Sequence, residues 1–256
     1  MTKELEVAIK AAKIAGETLE YHFETLLERK QKEDKSLVTK ADLEADDIII
    51  KEIKENFPTH AILSEEKGLI DGDEKYLWVI DPLDGTTNFA RGIPVFSTSI
   101  AFLEEGEAKI SVVYNPVTNS LFTAEKDNSA YWNGEKLQVS EISDLSKSLV
   151  SIGRARDVEN KEKMSGIFNK LYFKISSQRI LGSAALELAW VASGRLEGFI
   201  SVGLQNWDVA GGLLLVSEAG GKITNFNGDS LGKDDKHFVA SNGRIHNELL
   251  ETLKSD

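Results

Sequence analysis

Cysteine is absent from the 256 residues, so neither a disulfide nor a thiolate metal site can form. Histidine is scarce: His22, His60, His237 and His246 are the four present, and none pair at ligand spacing. A histidine-based zinc site is therefore not expected, and these four read as surface or capping residues. Positive charge is also in deficit, with 42 acidic against 30 basic residues and a formal net charge of −12. Nucleic acid and anionic membranes need clustered Lys and Arg to displace counterions, so neither is expected as the main partner. Basic stretches such as Arg29-Lys30-Gln31-Lys32 are interleaved with acids and read as solvated faces. No run approaches the apolar length that spans a bilayer, and Met1-Thr2-Lys3-Glu4-Leu5-Glu6 lacks a signal-like apolar core. Cytoplasmic residence is the expectation.

What is present suffices for a large core, in one domain or two intimate lobes. Val7, Ala11, Ile14, Ala15, Leu19, Phe23 and Leu26 recur at helical spacing, predicting a long amphipathic first helix. The charged stretch Glu28 to Lys35 reads as an exposed, mobile connection, and Leu43, Ile48, Ile49 and Ile53 mark a second helix ending near Phe57-Pro58. Strands are predicted at Ala61 to Leu63 and Tyr76 to Ile80. An antiparallel series follows at Ser97 to Leu103, Lys109 to Tyr114, Ser120 to Ala124 and Lys136 to Val139, with turns at Glu105-Gly106, Asn115-Pro116 and Asn133-Gly134. Beyond Ser146 strands and helices alternate: strands at Leu149 to Ile152, Lys174 to Ser177, Leu196 to Ser201, Lys222 to Thr224 and His237 to Ser241; helices at Lys161 to Lys170, Ala184 to Ala192, Trp207 to Ala219 and the C-terminus. This is α/β organisation with a lobe boundary near Ser140 to Ser148, giving lobes 1–145 and 146–256.

The segment Ile80-Asp81-Pro82-Leu83-Asp84-Gly85-Thr86-Thr87-Asn88-Phe89 sets two carboxylates at a strand end, where α/β folds bind ligands, next to a Gly-led helix start suited to an oxyanion. Carboxylates for a cation and amides for phosphate suggest metal-dependent phosphate chemistry, with a hard ion such as Mg2+. The same string is also ordinary turn chemistry. Glu65, in Ser64-Glu65-Glu66, stands at another strand end, although an acid pair is commonly solvated surface. Asp208, in Asn206-Trp207-Asp208, falls in the first turn of an apolar helix, where the dipole alone favours an acid. Thr39 or Asp42, in Leu37-Val38-Thr39-Lys40-Ala41-Asp42, reads as a cap preceding the second helix. Gly182-Ser183-Ala184-Ala185 is a further helix start whose small residues leave room for a ligand.

Taken together, these stretches, with Ser217-Glu218-Ala219-Gly220-Gly221, resemble the inositol monophosphatase family in order and spacing over nearly the whole chain. The resemblance implies a layered αβαβα sandwich of the sugar phosphatase type, two or three Mg2+ ions, Li+ sensitivity, a homodimer and a small phosphorylated polyol or sugar as substrate. It implies that Glu65, Asp81 and the Leu83 carbonyl hold one Mg2+, and Asp81, Asp84 and Asp208 a second. Gly85 and Thr86 amides would bind phosphate, with Asp84, Ala184 and Asp208 also on the substrate. Thr86 and Asp42 would help deprotonate the attacking water that Glu65 positions.

Two positions depart from the family pattern. Ser36 stands where many members have an acid linked to a third ion. Ser201 stands where inositol-specific members have a Glu that accepts from the polyol, and its absence removes a strong acceptor for substrate hydroxyls. Dual inositol/fructose bisphosphate, NADP or 3'-phosphoadenosine phosphatases are alternatives, as is a non-catalytic regulator. Thr87-Asn88-Phe89 looks more like the inositol and dual branch. A dehalogenase-type phosphatase has its two acids two residues apart, against three for Asp81 and Asp84 here.

Overall fold

The computed structural model describes residues 1–29, 35–153, 157–203, 205–232 and 235–254. Helices α1 (Lys3–Arg29) and α2 (Lys35–Asn56) lead into β1 (His60–Ser64), β2 (Gly68–Ile70), β3 (Asp73–Asp84), the short α3 (Thr86–Ala90), β4 (Ser97–Glu104), β5 (Glu107–Asn115), β6 (Ser120–Glu125), β7 (Ala130–Trp132) and β8 (Glu135–Lys136). These strands form one sheet ordered β2-β1-β3-β4-β5-β6-β7-β8. It is antiparallel except for the parallel pair β1–β3. The second half contributes β9 (Leu149–Ile152), α4 (Val158–Tyr172), β10 (Ser177–Arg179), α5 (Ala184–Ala192), β11 (Gly198–Val202), α6 (Asn206–Glu218), β12 (Lys222–Asn225), β13 (His237–Ser241) and α7 (His246–Lys254). Its five strands are ordered β10-β9-β11-β13-β12.

Each sheet buries both faces, which produces five layers. Val7, Ala11, Ala15, Leu19 and Phe23 of α1 and Ala41, Ala45, Ile49 and Ile53 of α2 share a core with Trp78, Ile80, Ile100 and Val112 of the large sheet. On the other face, α5 and α6 pack as the middle layer against Val113, Phe122 and Ala124 on one side and Phe199, Phe238 and Ala240 on the other. Finally α4 and α7 cover the small sheet through Met164, Ile167, Leu171, Leu249 and Leu250 against Val150, Ile152, Ile200 and Val239. The fold is the mixed α/β, helix-sheet-helix-sheet-helix sandwich.

Several local expectations require correction. Leu37 to Asp42 lies inside α2, not before it, so neither Thr39 nor Asp42 is a cap. The buried stripe of α2 runs Ala41-Ala45-Ile49-Ile53, and alanines leave a faint hydropathy signal, whereas Leu43 is exposed. Ile14 is likewise at the exposed margin of α1. In the supposed connection, 30–34 lies outside the described residues, and Glu28 and Lys35 are already helical. The strand expected at Lys136 to Val139 is β8, Glu135–Lys136, and overlaps it at Lys136 alone, and the strand expected at Lys174 to Ser177 starts at Ser177. Two short strands, β2 and β7, were not anticipated. His22 and His246 are buried, not superficial. His22 meets Glu44 at 2.6 Å, and His246 bridges Ser241 at 2.8 Å and Thr224 at 2.9 Å.

Candidate functional site

β3 carries the chemistry because its end is irregular. Asp81 pairs with Ser99 and Asp84 with Ser97, so three steps on β3 oppose two on β4. In a regular strand residues three apart point to opposite faces; the bulged residue reverses that parity and lets both acids serve one side. Thr98 Oγ1 holds the bulge by donating to the Pro82 carbonyl at 3.0 Å. Since Trp78 and Ile80 pack beneath α1 and α2, strand alternation turns Asp81 toward the central helices. There it meets Asp208, in the first turn of α6, and Glu65, which follows β1. One carboxylate oxygen from each of Glu65, Asp81 and Asp208 lies within 4.8 Å of the other two. These are the side chains among the described residues that are placed to hold a metal.

Electrostatics favour a cation there. Asp81 is 1 % exposed. Burial, followed by the charges of Glu65, Asp84, Asp208 and Asp42, raises its pKa well above the carboxylate range. Its Oδ1 accepts from the Leu83 amide at 3.0 Å, one bond against four like charges. Asp42, in the second turn of α2, is pushed up to about 8 by burial, then by Glu66, Glu65 and Asp46. Its Oδ1 is buried without a hydrogen-bond partner. An uncompensated buried carboxylate is costly unless it is protonated or meets a positive charge. The all-oxygen donor set matches a hard divalent ion, so the residues fit the group.

Asp84 is not among the three converging oxygens. It is tied to the head of α5: Ser183 Oγ donates to Oδ2 at 2.6 Å, Ala185 N to Oδ2 at 2.8 Å and Ala184 N to Oδ1 at 3.2 Å. Burial lifts its pKa to about 7; these donors oppose the rise, and Asp208 adds to it. Ala184 therefore sits beside the site through its backbone.

Between Asp84 and α3, Gly85 adopts φ 94°. A Cβ there would stand 2.8 Å from the Val95 carbonyl oxygen and 3.1 Å from Phe96 Cα, so conformation and space both demand glycine. Thr86 opens α3 and donates through Oγ1 to the Leu83 carbonyl at 3.2 Å, which leaves that oxygen a second lone pair. Asn88 spends both amide hydrogens, on Val95 O and Leu181 O at 2.7 Å each, so the motif loop is fastened to the loop before α5. Asp208 Oδ2 accepts from Gln205 N at 2.8 Å. Ser201 shares the strand face of Phe199, toward the middle layer, where its hydroxyl is buried without a hydrogen-bond partner. A Cβ at Gly153 would overlap it. Ser36 falls in α2, and its side chain lies outside the described residues.

Four supporting residues escaped the sequence reading: Ser183 on Asp84, Ser64 and Asp46 near Glu65, and Glu187 in α5. Glu187 is 1 % exposed and accepts from Leu181 N at 3.2 Å and from Ser151 Oγ. A lone acid within Ala184-Ala185-Leu186-Glu187-Leu188-Ala189 was the available signal, since an acid inside an all-apolar helix must find buried donors.

The fold and this acid-lined strand end define a sugar-phosphatase-like α/β protein. A profile of the inositol monophosphatase family matches residues 1–255, and the chain belongs to that family. It is 39% identical over 258 residues to the Nus factor SuhB of Pseudomonas aeruginosa, covering 98% of this chain and 95% of that protein. It is 38% identical over 250 residues to the fructose-1,6-bisphosphatase/inositol-1-monophosphatase of Thermotoga maritima, with 97% and 95% coverage. The solved inositol monophosphatase of Anabaena superposes with a TM-score of 0.88 at 37% identity, covering 97% of this chain and 94% of that one.

Proposed function

We propose that this chain is a Mg2+-dependent phosphomonoesterase for small polyol and sugar phosphates, hydrolysing inositol 1-phosphate to inositol and phosphate. The observation that carries the reading is the convergence of Glu65, Asp81 and Asp208 within 4.8 Å beside the Gly85 turn. Glu65, Asp81 and the Leu83 carbonyl would hold one ion and Asp81, Asp84 and Asp208 a second, with two or three ions in all. Bound divalent ions supply Lewis acidity, which acidifies water and offsets phosphoryl charge. The chain's own groups do the remaining work. The Gly85 and Thr86 amides hold the phosphate oxygens. Glu65 orients a water for in-line attack on phosphorus, and Asp42 with the Thr86 hydroxyl takes its proton. As the water oxygen bonds to phosphorus the ester P–O bond breaks, and the leaving oxygen takes a proton from a solvent water to depart as the alcohol. Asp84, Asp208 and the Ala184 backbone line the substrate side. Positioning and charge account for the rate, with no covalent intermediate.

The Ser201 hydroxyl offers less to an inositol ring than a carboxylate would, and the Thermotoga relative carries both activities in its name. Fructose 1,6-bisphosphate is accordingly the second substrate proposed. The test is phosphate release with Mg2+ from both compounds, with Li+ inhibiting. Asp81→Asn should lower the rate more than about 100-fold, beyond the loss of an outer metal partner. Full activity of that variant, or in excess chelator, refutes the reading, and a preference for NADP or 3'-phosphoadenosine nucleotides refutes the substrate class.

The protein is further proposed to be a cytoplasmic homodimer of chains with lobes 1–145 and 146–256. Among the described residues no helix is long and apolar enough to cross a membrane. Phe168, Tyr172, Phe173 and Ile180 stand exposed around β10, one of the two edge strands of the small sheet, and a second copy would cover them. Light scattering of Phe173→Glu tests this, a monomer being expected. A second reading, a Nus-factor role, is favoured by the name of the Pseudomonas relative.

A further inference from the structure

Glu65 is the first residue of a three-residue hairpin loop, Glu65-Glu66-Lys67, closed by the pair Ser64–Gly68 between β1 and β2. Every amide of that loop is anchored. Glu65 N donates to the Ile80 carbonyl at 3.2 Å. Glu66 N and Lys67 N donate to the same Ser64 Oγ, at 3.1 and 3.2 Å. A hydroxyl has two acceptor sites and one proton. With both acceptor sites taken, the proton has one destination, and it goes to Asp46 Oδ1 at 2.7 Å. Ser64 and Asp46 are both fully buried, so water cannot replace either partner. Asp46 lies on α2 one turn beyond Asp42, and its second oxygen, 3.8 Å from Lys67 Nζ, has no hydrogen-bond partner, so the Ser64 bond is what ties Asp46 to the loop.

We propose that Asp46 and Ser64 are positioning residues that fix Glu65 for divalent-cation binding. Asp46 orients the Ser64 hydroxyl, and the hydroxyl fixes the loop that presents the Glu65 carboxylate. This rests on the ligand role proposed above for Glu65. Outer partners of metal ligands typically govern affinity by about 10- to 100-fold. The effect runs through an acceptor atom, not through the charge of Asp46, and that distinction makes it testable.

Mn2+ binding to the purified full chain, measured by titration calorimetry, is the experiment, with the melting temperature of each metal-free variant alongside. Ser64→Ala and Asp46→Ala should weaken Mn2+ by about 10- to 100-fold. Asp46→Asn keeps an acceptor and should bind as the wild type does. In a Glu65→Gln background, Ser64→Ala should cost nothing further in affinity, because coupled residues do not add. Should Asp46→Ala not fold, Ser64→Ala carries the test alone. Wild-type affinity in folded Ser64→Ala overturns the proposal, as does a lowered melting temperature with unchanged affinity. Equal losses in Asp46→Asn and Asp46→Ala overturn it in favour of charge. If the wild type binds no Mn2+, it is the metal-dependent reading that fails.

Discussion

Replacing Asp42 by Asn should make the metal-free protein more stable and the enzyme worse. In the native state burial and the neighbouring acids raise the Asp42 pKa from 3.8 to about 8. An acid with a raised native pKa contributes its full stability below the unfolded pKa, and this is lost as pH climbs to the native one. At about 1.4 kcal/mol per unit, the penalty reaches roughly 5 kcal/mol near pH 8 but only about 2 kcal/mol near pH 5. Asn keeps the shape and carries no charge. The stabilisation by Asp42→Asn should therefore be larger at the higher pH, by about 2–4 kcal/mol once local relaxation trims the figure.

Urea unfolding of both proteins in chelator, near pH 5 and near pH 8, measures the difference directly. Buried acids remote from residue 42 are common to both proteins and cancel in the subtraction, whereas Glu65, Glu66, Asp46 and Asp81, which repel the Asp42 charge, are relieved by the same substitution and act in the same direction. An equal gain at the two pH values, or a variant less stable than the wild type at the higher one, refutes the electrostatic account. Phosphate release supplies the second half: if Asp42 takes a proton from water, the stabilised variant should lose activity at saturating Mg2+. A stable variant of undiminished activity would remove Asp42 from the reaction.

Gly85→Ala should destabilise by about 1–3 kcal/mol, since φ is 94° and the new methyl would press on Val95 O; it should also weaken phosphate inhibition, and a neutral thermal melt would contradict this. His246, whose pKa burial lowers from 6.5 to about 4, is neutral in the fold, so its contribution is present above the unfolded pKa and is lost as pH falls from 6.5 toward 4. Denaturant midpoints across that interval should show a step that His246→Asn flattens.

Much of the fold was legible because its elements announce themselves locally. Strands β9 and β13 and helix α5 fall on the residues predicted for them, each being an apolar run bounded by turn or cap residues. The layers follow from periodicity, as a helix apolar all round must be buried twice: α5 and α6 form the middle layer because Ala184–Ala192 and the body of Asn206–Glu218 have no extended polar face. The start of α2 was missed for the converse reason. Its buried face begins with Ala41 and Ala45, whose small side chains pack closely but barely register as apolar, while the conspicuous Leu43 points outward.

For the site, the acids could be read and their supports could not. Asp84, Glu65 and Asp208 stand at or next to element ends and Asp81 three residues before the end of β3. Turn and helix-dipole chemistry favour acids at such places too, so it was their joint order and spacing that singled them out. What sets their geometry is contributed from elsewhere in the fold. Asp46 reaches Ser64 from 18 positions away, and Ser183 reaches Asp84 from 99. No periodicity links such pairs; they meet only because α2 packs beside β1 and because α5 starts where β3 ends. The bulge between Asp81 and Asp84 was equally hidden, since a strand reads as alternation and an extra residue merely interrupts it. A motif search therefore finds the groups that would contact the ions and substrate. The residues that determine how tightly those groups are held emerge only from tracing each buried donor and acceptor, and that tracing makes Ser64 and Asp46 the next positions to change.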